Sequence, residues 1–171
     1  GAGKSTLARA VRDELIDRGR RVEILDGDDI RVSLSKGLTF SQADRDTNVR
    51  RIGFVTRLLS RNGVVAIAAA ISPCRETRDD VRRNHEATFV EVFVDCPLEE
   101  LIRRDTKGLY ANALRGDIQD VSGISAPYEA PIAPDVHVKT DIQTIEESRS
   151  AILRWLEGQG LIPCDGASRL P

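Results

Sequence analysis

Two glycines, a lysine and two hydroxyls open this sequence in an order that suits phosphate binding. Gly1-Ala2-Gly3-Lys4-Ser5-Thr6 is the second half of the pattern G-x-x-x-x-G-K-[ST], whose successive backbone N–H groups wrap nucleotide phosphates. Gly1 and Gly3 let the main chain curl close to an anion with no side chain in the way. Lys4 offers a point charge to the β- and γ-phosphates of a nucleotide such as ATP. The Ser5 hydroxyl offers an oxygen to Mg²⁺. A helix is expected from Leu7 on, with its N-terminal dipole facing the phosphates. The pattern's first glycine and the strand feeding it would precede residue 1, so the first strand of the fold is expected to be missing from this chain.

A second set of reactive groups follows a short apolar run. Asp26 and Asp28 stand directly after residues 22–25, where they can supply metal-shell oxygens and a base for a hydroxyl. Arg31, Arg45, Arg50 and Arg51 offer planar donors to an anionic second substrate. Ser72-Pro73-Cys74-Arg75 and Asp95-Cys96-Pro97 follow two later apolar runs. His85 and His137 each lack a partner at ligand spacing and read as packing residues, and Trp155 reads as core.

The elements that must hold these groups alternate between helix and strand. Leu7, Val11 and Leu15 mark one helix face, closed by Gly19. A strand over 22–25 is followed by a helix capped by Ser41, with Asp44 at the capping-box position and Val49, Ile52, Val55 and Leu59 on its apolar face. The continuous apolar run 64–71 predicts a parallel strand covered on both faces. A polar helix over 76–85, a strand over 89–94 and a helix with Pro97 as its first residue come next. Residues 105–131 lose periodicity. A strand over 136–138 precedes a helix boxed by Thr144 and Glu147. This alternation predicts an α/β fold, a three-layer parallel sheet of the P-loop NTPase type with helices on both faces. One domain is expected over residues 1–162, with 163–171 a disordered tail.

Bulk properties narrow the partners. The 171 residues carry 25 Lys and Arg against 27 Asp and Glu, a net charge of −2, which gives no reason for nucleic-acid or membrane binding. The longest apolar run is far below a membrane span. Three widely spaced cysteines, Cys74, Cys96 and Cys164, fit neither a disulfide framework nor a zinc site and point to reduced thiols in the cytoplasm.

Five blocks in order carry a specific resemblance. They are Leu25-Asp26-Gly27-Asp28-Asp29-Ile30-Arg31, the run from Phe40 to Gly53, Ile71-Ser72-Pro73, Lys107-Gly108-Leu109-Tyr110, and the run from Gly123 to Pro131. With the phosphate loop they resemble the adenylylsulfate (APS) kinase family. The resemblance implies ATP- and Mg²⁺-dependent phosphorylation of the 3′-hydroxyl of adenylyl sulfate, giving 3′-phosphoadenylyl sulfate (PAPS). It implies that Asp28 orients or deprotonates that hydroxyl, that Lys4 serves catalysis, and that Ser5 and Asp26 hold the metal. Residues 1–6 would grip ATP. Arg31, Phe40, Arg45, Asn48, Ile71, Ser72, Lys107 and Leu109 would contact the substrate, with Phe40 stacking on its adenine and Lys107 to Tyr110 forming part of a lid.

Ser72 aligns with a serine described in the family as a phosphoserine intermediate. Direct in-line transfer needs no covalent relay, so substrate binding is its plainer role. Val121 stands where the family commonly has a Phe, a loss of one stacking face worth about 1–3 kcal/mol. The resemblance also allows a homodimer, and fusion to or association with a sulfate adenylyltransferase. Two other readings of the residues are a different small-molecule P-loop kinase and a non-catalytic PAPS-binding regulatory domain.

Overall fold

The computed structural model describes residues 1–105, 108–117, 121, 123–124 and 126–164. Helix α1 (Lys4–Asp17) starts at Gly3, whose φ of 83° is a left-handed conformation that glycine enters without strain. It buries Leu7, Ala8, Val11 and Leu15 along one face, as their spacing of three and four dictates. Gly19, at φ 76°, closes it by donating to Ile16 O while Arg20 N donates to Leu15 O. The chain then reverses into strand β1 (Val22–Asp26). Because α1 returns antiparallel to β1, the start of the helix lies at the C-terminal end of the strand.

β1 pairs in parallel with β2 (Val65–Ala69), Val22 opposite Val65 and Asp26 opposite Ala69. Their crossover holds α2 (Gly27–Val32) and α3 (Gln42–Arg61). After β2 come α4 (Arg75–Arg83), β3 (Val92–Asp95), α5 (Leu98–Arg104), α6 (Leu109–Leu114), β4 (Val136–Lys139) and α7 (Ile145–Gly158). β3 and β4 form a second parallel pair, Val92 opposite Val136. The expected α/β class holds, with the described strands arranged as two parallel pairs.

The period of two along each strand sorts the faces. Val22, Val65, Ile67, Val92 and Val94 pack on the core made by Leu7, Val11, Leu15, Val136, Val138, Ile152 and Leu153, so α1 and α7 cover one side. Leu25, Ala66 and Ala70 face Ile30, Ile52, Val55 and Leu59, so α2 and α3 cover the other side of the first pair. α3 and α4 in turn sit close together. A Cβ on Gly53 would lie 2.7 Å from Val81 Cγ1, so only glycine fits there without repacking.

Several boundaries depart from expectation. The run 64–71 is paired only over 65–69, and Ala68 is exposed, so this strand is not covered throughout. β3 starts at Val92, later than the expected 89. Pro97 is the N-cap of α5 and not its first helical residue. Residues expected to be irregular contain α6, whose first-turn N–H groups at Tyr110 and Ala111 are capped by Asp105. Ser41 accepts from Asp44 N as expected, but the Asp44 carboxylate turns to Thr39, leaving half a capping box. Thr144 and Glu147 form the complete box. Trp155 packs against the core as expected. Of the expected tail, residues 165–171 lie outside the described residues. Among the described residues no helix is long and apolar enough to cross a membrane.

Candidate active site

The phosphate-loop residues meet the C-terminal ends of the second strand pair, where open parallel sheets place ligands. The Thr140 hydroxyl lies 3.1 Å from Ala2 O and 3.2 Å from Asp95 O. Arg104 reaches from α5 to Gly1 O at 3.4 Å and to Thr140 O at 2.7 Å. A Cβ on Gly1 would touch Leu101 Cδ2 at 3.3 Å, so a small residue is needed where the loop passes α5. The first turn of α1 carries no acidic residue, which leaves its electropositive end uncompensated by side-chain charge from that turn. Lys4 and Ser5 are half-buried on that turn, and Thr6 is exposed.

Asp26 ends β1 on the same strand face as Val22, the face that α1 covers. It is 7% exposed and accepts from Asp28 N at 3.1 Å, which makes it the N-cap of α2. That cap starts a six-residue helix which lifts Asp28 and Asp29 to the surface. Two carboxylates two residues apart therefore occupy different environments, one buried at the sheet and one open. A Cβ on Gly27 would sit 3.3 Å from Ala69 O, so the turn between the carboxylates presses on β2. Arg31 lies on α2, and its side chain is outside what the structure describes.

A cleft of about 110 Å³ is lined by Phe40, Gln42, Arg45, Pro73, Cys74, Ala126, Pro127 and Glu129. Phe40 presents 48% of its surface. Arg45 is aimed by its Nε bond to Phe40 O at 2.7 Å. Asn48, one turn further along α3, accepts from the buried Ser35 hydroxyl, which fixes the amide's orientation. Thr39 N–H and hydroxyl both donate to Asp44, whose carboxyl they hold below its ordinary range. Ile71 is exposed and Ser72 half-buried at the end of β2. Ser72 has φ 46°, a left-handed conformation strained for a residue with a Cβ.

That strain is held by Arg78. Its guanidinium donates to Ser72 O at 2.8 Å, to Glu129 O at 2.7 Å and to Glu91 Oε1 at 2.8 Å. Arg75 N–H donates to Glu129 Oε2, and Glu129 N–H donates to Pro73 O. The two walls of the cleft, residues 72–78 and 126–131, are thus fastened to each other.

The structure separates the other sequence candidates. Arg50 pairs with Asp80 at 3.1 Å, and Arg51 donates to Leu34 O, so both have structural partners away from the cleft lining. Leu109 is the first residue of α6. Lys107 lies outside the described residues. Val121 is buried, at 4% exposed. His85 packs edge-on against Phe89. His137 stacks on Phe93 and meets Asp95 Oδ2 at 3.0 Å. Among the described residues no group of three His, Cys, Asp or Glu side chains could hold a metal alone. Sequence reasoning did not single out Ser35, Arg78 or Thr140; Arg78 meets Glu129 and Thr140 meets Ala2 far along the chain.

Comparisons with known proteins converge. The family model for adenylylsulphate kinase matches residues 1–139. The adenylyl-sulfate kinase of Picosynechococcus sp. is 51% identical over 162 residues, covering 95% of this chain and 91% of that protein. A probable bifunctional SAT/APS kinase of Sorangium cellulosum is 52% identical over 168 residues, 98% of this chain and 29% of that protein. The solved Mycobacterium tuberculosis APS kinase, in complex with AMPPNP and APS, superposes with a TM-score of 0.87 at 39% identity, covering 92% of both chains.

Proposed function

The chain belongs to the adenylylsulphate kinase family, and from that premise we infer that it transfers the γ-phosphoryl group of ATP to the 3′-hydroxyl of adenylyl sulfate. The products are PAPS and ADP. The observation that carries this reading is a helix-borne phosphate loop fastened at the C-terminal ends of β3 and β4 by Thr140 and Arg104, in a chain that also opens a cleft lined by Phe40 and Arg45.

The chemistry follows from charge and position. Phosphoryl transfer asks the protein mainly to align two oxygens and to stabilise spread negative charge. The loop's N–H groups and Lys4 take the β- and γ-phosphates. Asp28, exposed on α2, accepts the proton of the 3′-hydroxyl as that oxygen bonds to the γ-phosphorus and ADP leaves. Phe40 stacks on the substrate adenine, while Arg45 and Asn48, with Arg31, bind the phosphosulfate end. Ile71, Ser72, Lys107 and Leu109 complete the substrate contacts, with Ser72 binding and not relaying phosphate.

Mg²⁺ fits the donor set, because this ion is usually held by one or two protein oxygens plus phosphates and waters. Ser5 and the buried Asp26 are the residues that would hold it. When bound, it neutralises charge on the transferring phosphates. Three widely spaced cysteines, Cys74, Cys96 and Cys164, present as free thiols, support a cytoplasmic setting. The Sorangium relative supports association with a sulfate adenylyltransferase activity.

The test is the steady-state rate of the Asp28→Asn variant. We expect kcat to fall by about 10²-fold or more, the usual worth of a positioned base, with ATP affinity retained. Unchanged kcat would remove Asp28 from the chemistry.

A further inference from the structure

Peptide geometry shows which groups shape the phosphate loop from outside. No described peptide bond is cis, and in a trans peptide the C=O and the following N–H point in opposite directions. Ala2 O faces the Thr140 hydroxyl at 3.1 Å, so the Gly3 N–H must point the other way. Gly1 O faces Arg104 Nη1 at 3.4 Å, so the Ala2 N–H does the same. Two successive carbonyls are drawn outward, and two successive N–H groups are thereby turned to the opposite side. Successive N–H groups turned to one side make an anion-binding concavity.

The two holding residues are themselves fixed. Thr140 N–H donates to Asp95 O at 2.9 Å, and its hydroxyl lies 3.2 Å from the same carbonyl, which ties it to the end of β3. Arg104 Nη2 donates to Thr140 O at 2.7 Å, and its Nε donates to Glu100 one turn back on α5. The next residue, Asp105, caps α6 through Tyr110 and Ala111. The loop, the ends of β3 and β4, and helix α6 are thus linked through Thr140, Arg104 and Asp105.

We propose that Thr140, supported by Arg104, is a positioning residue for the ATP phosphates, its hydroxyl holding the Ala2–Gly3 peptide so that the Gly3 N–H faces the ligand. The proposal rests on the kinase reading above. Thr140→Val keeps the shape and removes the hydroxyl, and Thr140→Ser keeps the hydroxyl. Arg104→Lys keeps the charge but cannot donate in several directions from one plane.

In the whole protein, ATP binding is read by titration calorimetry, and KM is measured separately for ATP and adenylyl sulfate. Loss of one aligned hydrogen bond should weaken ATP binding about five- to tenfold in Thr140→Val. KM for adenylyl sulfate should hold, and Thr140→Ser should restore ATP affinity. ATP affinity unchanged in Thr140→Val, or Thr140→Ser as weak as Thr140→Val, would overturn the proposal. A general loss that raises both KM values equally would do the same. Should Thr140→Val not fold, Arg104→Lys decides, with ATP-specific weakening expected and unchanged ATP affinity overturning the idea. Failure of the kinase reading looks different, because the unaltered protein would then bind ATP yet release no ADP on addition of adenylyl sulfate.

Discussion

Replacing Arg78 by methionine should loosen the acceptor cleft while sparing the nucleotide end. The Arg78 side chain is 11% exposed and its partner Glu91 17%. Removal leaves a poorly solvated carboxylate and two carbonyls, Ser72 O and Glu129 O, without their donor. Breaking a buried pair costs about 3–5 kcal/mol. Arg82, 3.6 Å from the other Glu91 oxygen, recovers part of that, so the loss should be roughly 3 kcal/mol. In a domain of this size each kcal/mol moves Tm by about 2–4 °C, which gives a fall of roughly 6–12 °C by calorimetry.

The kinetic effect should be selective. Ser72, held at φ 46°, stores of order 1–3 kcal/mol of strain, and it relaxes once its carbonyl is released. The wall carrying Pro73, Cys74 and Glu129 then shifts, and KM for adenylyl sulfate should rise about tenfold, equivalent to about 1.4 kcal/mol. KM for ATP should move far less, because Thr140 and Arg104 hold the phosphate loop independently. Arg78→Lys should regain more of the Tm than of the KM, since a point charge can face Glu91 but cannot hold three acceptors. A Tm loss under about 3 °C, or equal rises in both KM values, would refute the reasoning.

Three further outcomes are expected. Gly53→Ala should lower Tm despite its better helix propensity, because the new Cβ would stand 2.7 Å from Val81 Cγ1 and β-branched Val81 turns only with difficulty; adding Val81→Ala should restore much of the loss. Ser72→Ala should keep most of its turnover, and abolished turnover in a folded, substrate-binding variant would establish a covalent relay. Glu100, beside Arg103 and Arg104, is held down to about 2 from an ordinary 4.5. A carboxyl depressed by folding stabilises the fold above its unfolded value and loses that contribution as pH falls toward its folded value. Tm should therefore fall less steeply between those two values in Glu100→Gln than in the unaltered protein, and parallel curves would contradict the assignment.

Local signals were legible wherever short-range chemistry decides the outcome. The glycines and lysine of the loop, the leucine face of α1, the Ser41 cap and the Thr144–Glu147 box each act over a few residues, and each marks an observed element. Helix α2 escaped because six residues carry too little periodicity, although an aspartate before two further acidic residues is an N-terminal signature. Helix α6 escaped for the same reason, its cap being supplied from Asp105, outside the helix. The cleft's fastenings were illegible for another reason. Arg78 meets residues 51 positions away at Glu129, and Thr140 meets Ala2 across 138, so no local pattern announces either.

Product identification tests the central claim most directly. Incubating the whole protein with ATP, Mg²⁺ and adenylyl sulfate, and resolving the nucleotides by mass spectrometry and phosphorus NMR, should give one ADP for each adenylyl sulfate phosphorylated at its 3′-oxygen. Asp28→Asn should form that product far more slowly. ADP released without adenylyl sulfate consumption, or phosphate found on any other acceptor, would contradict the account.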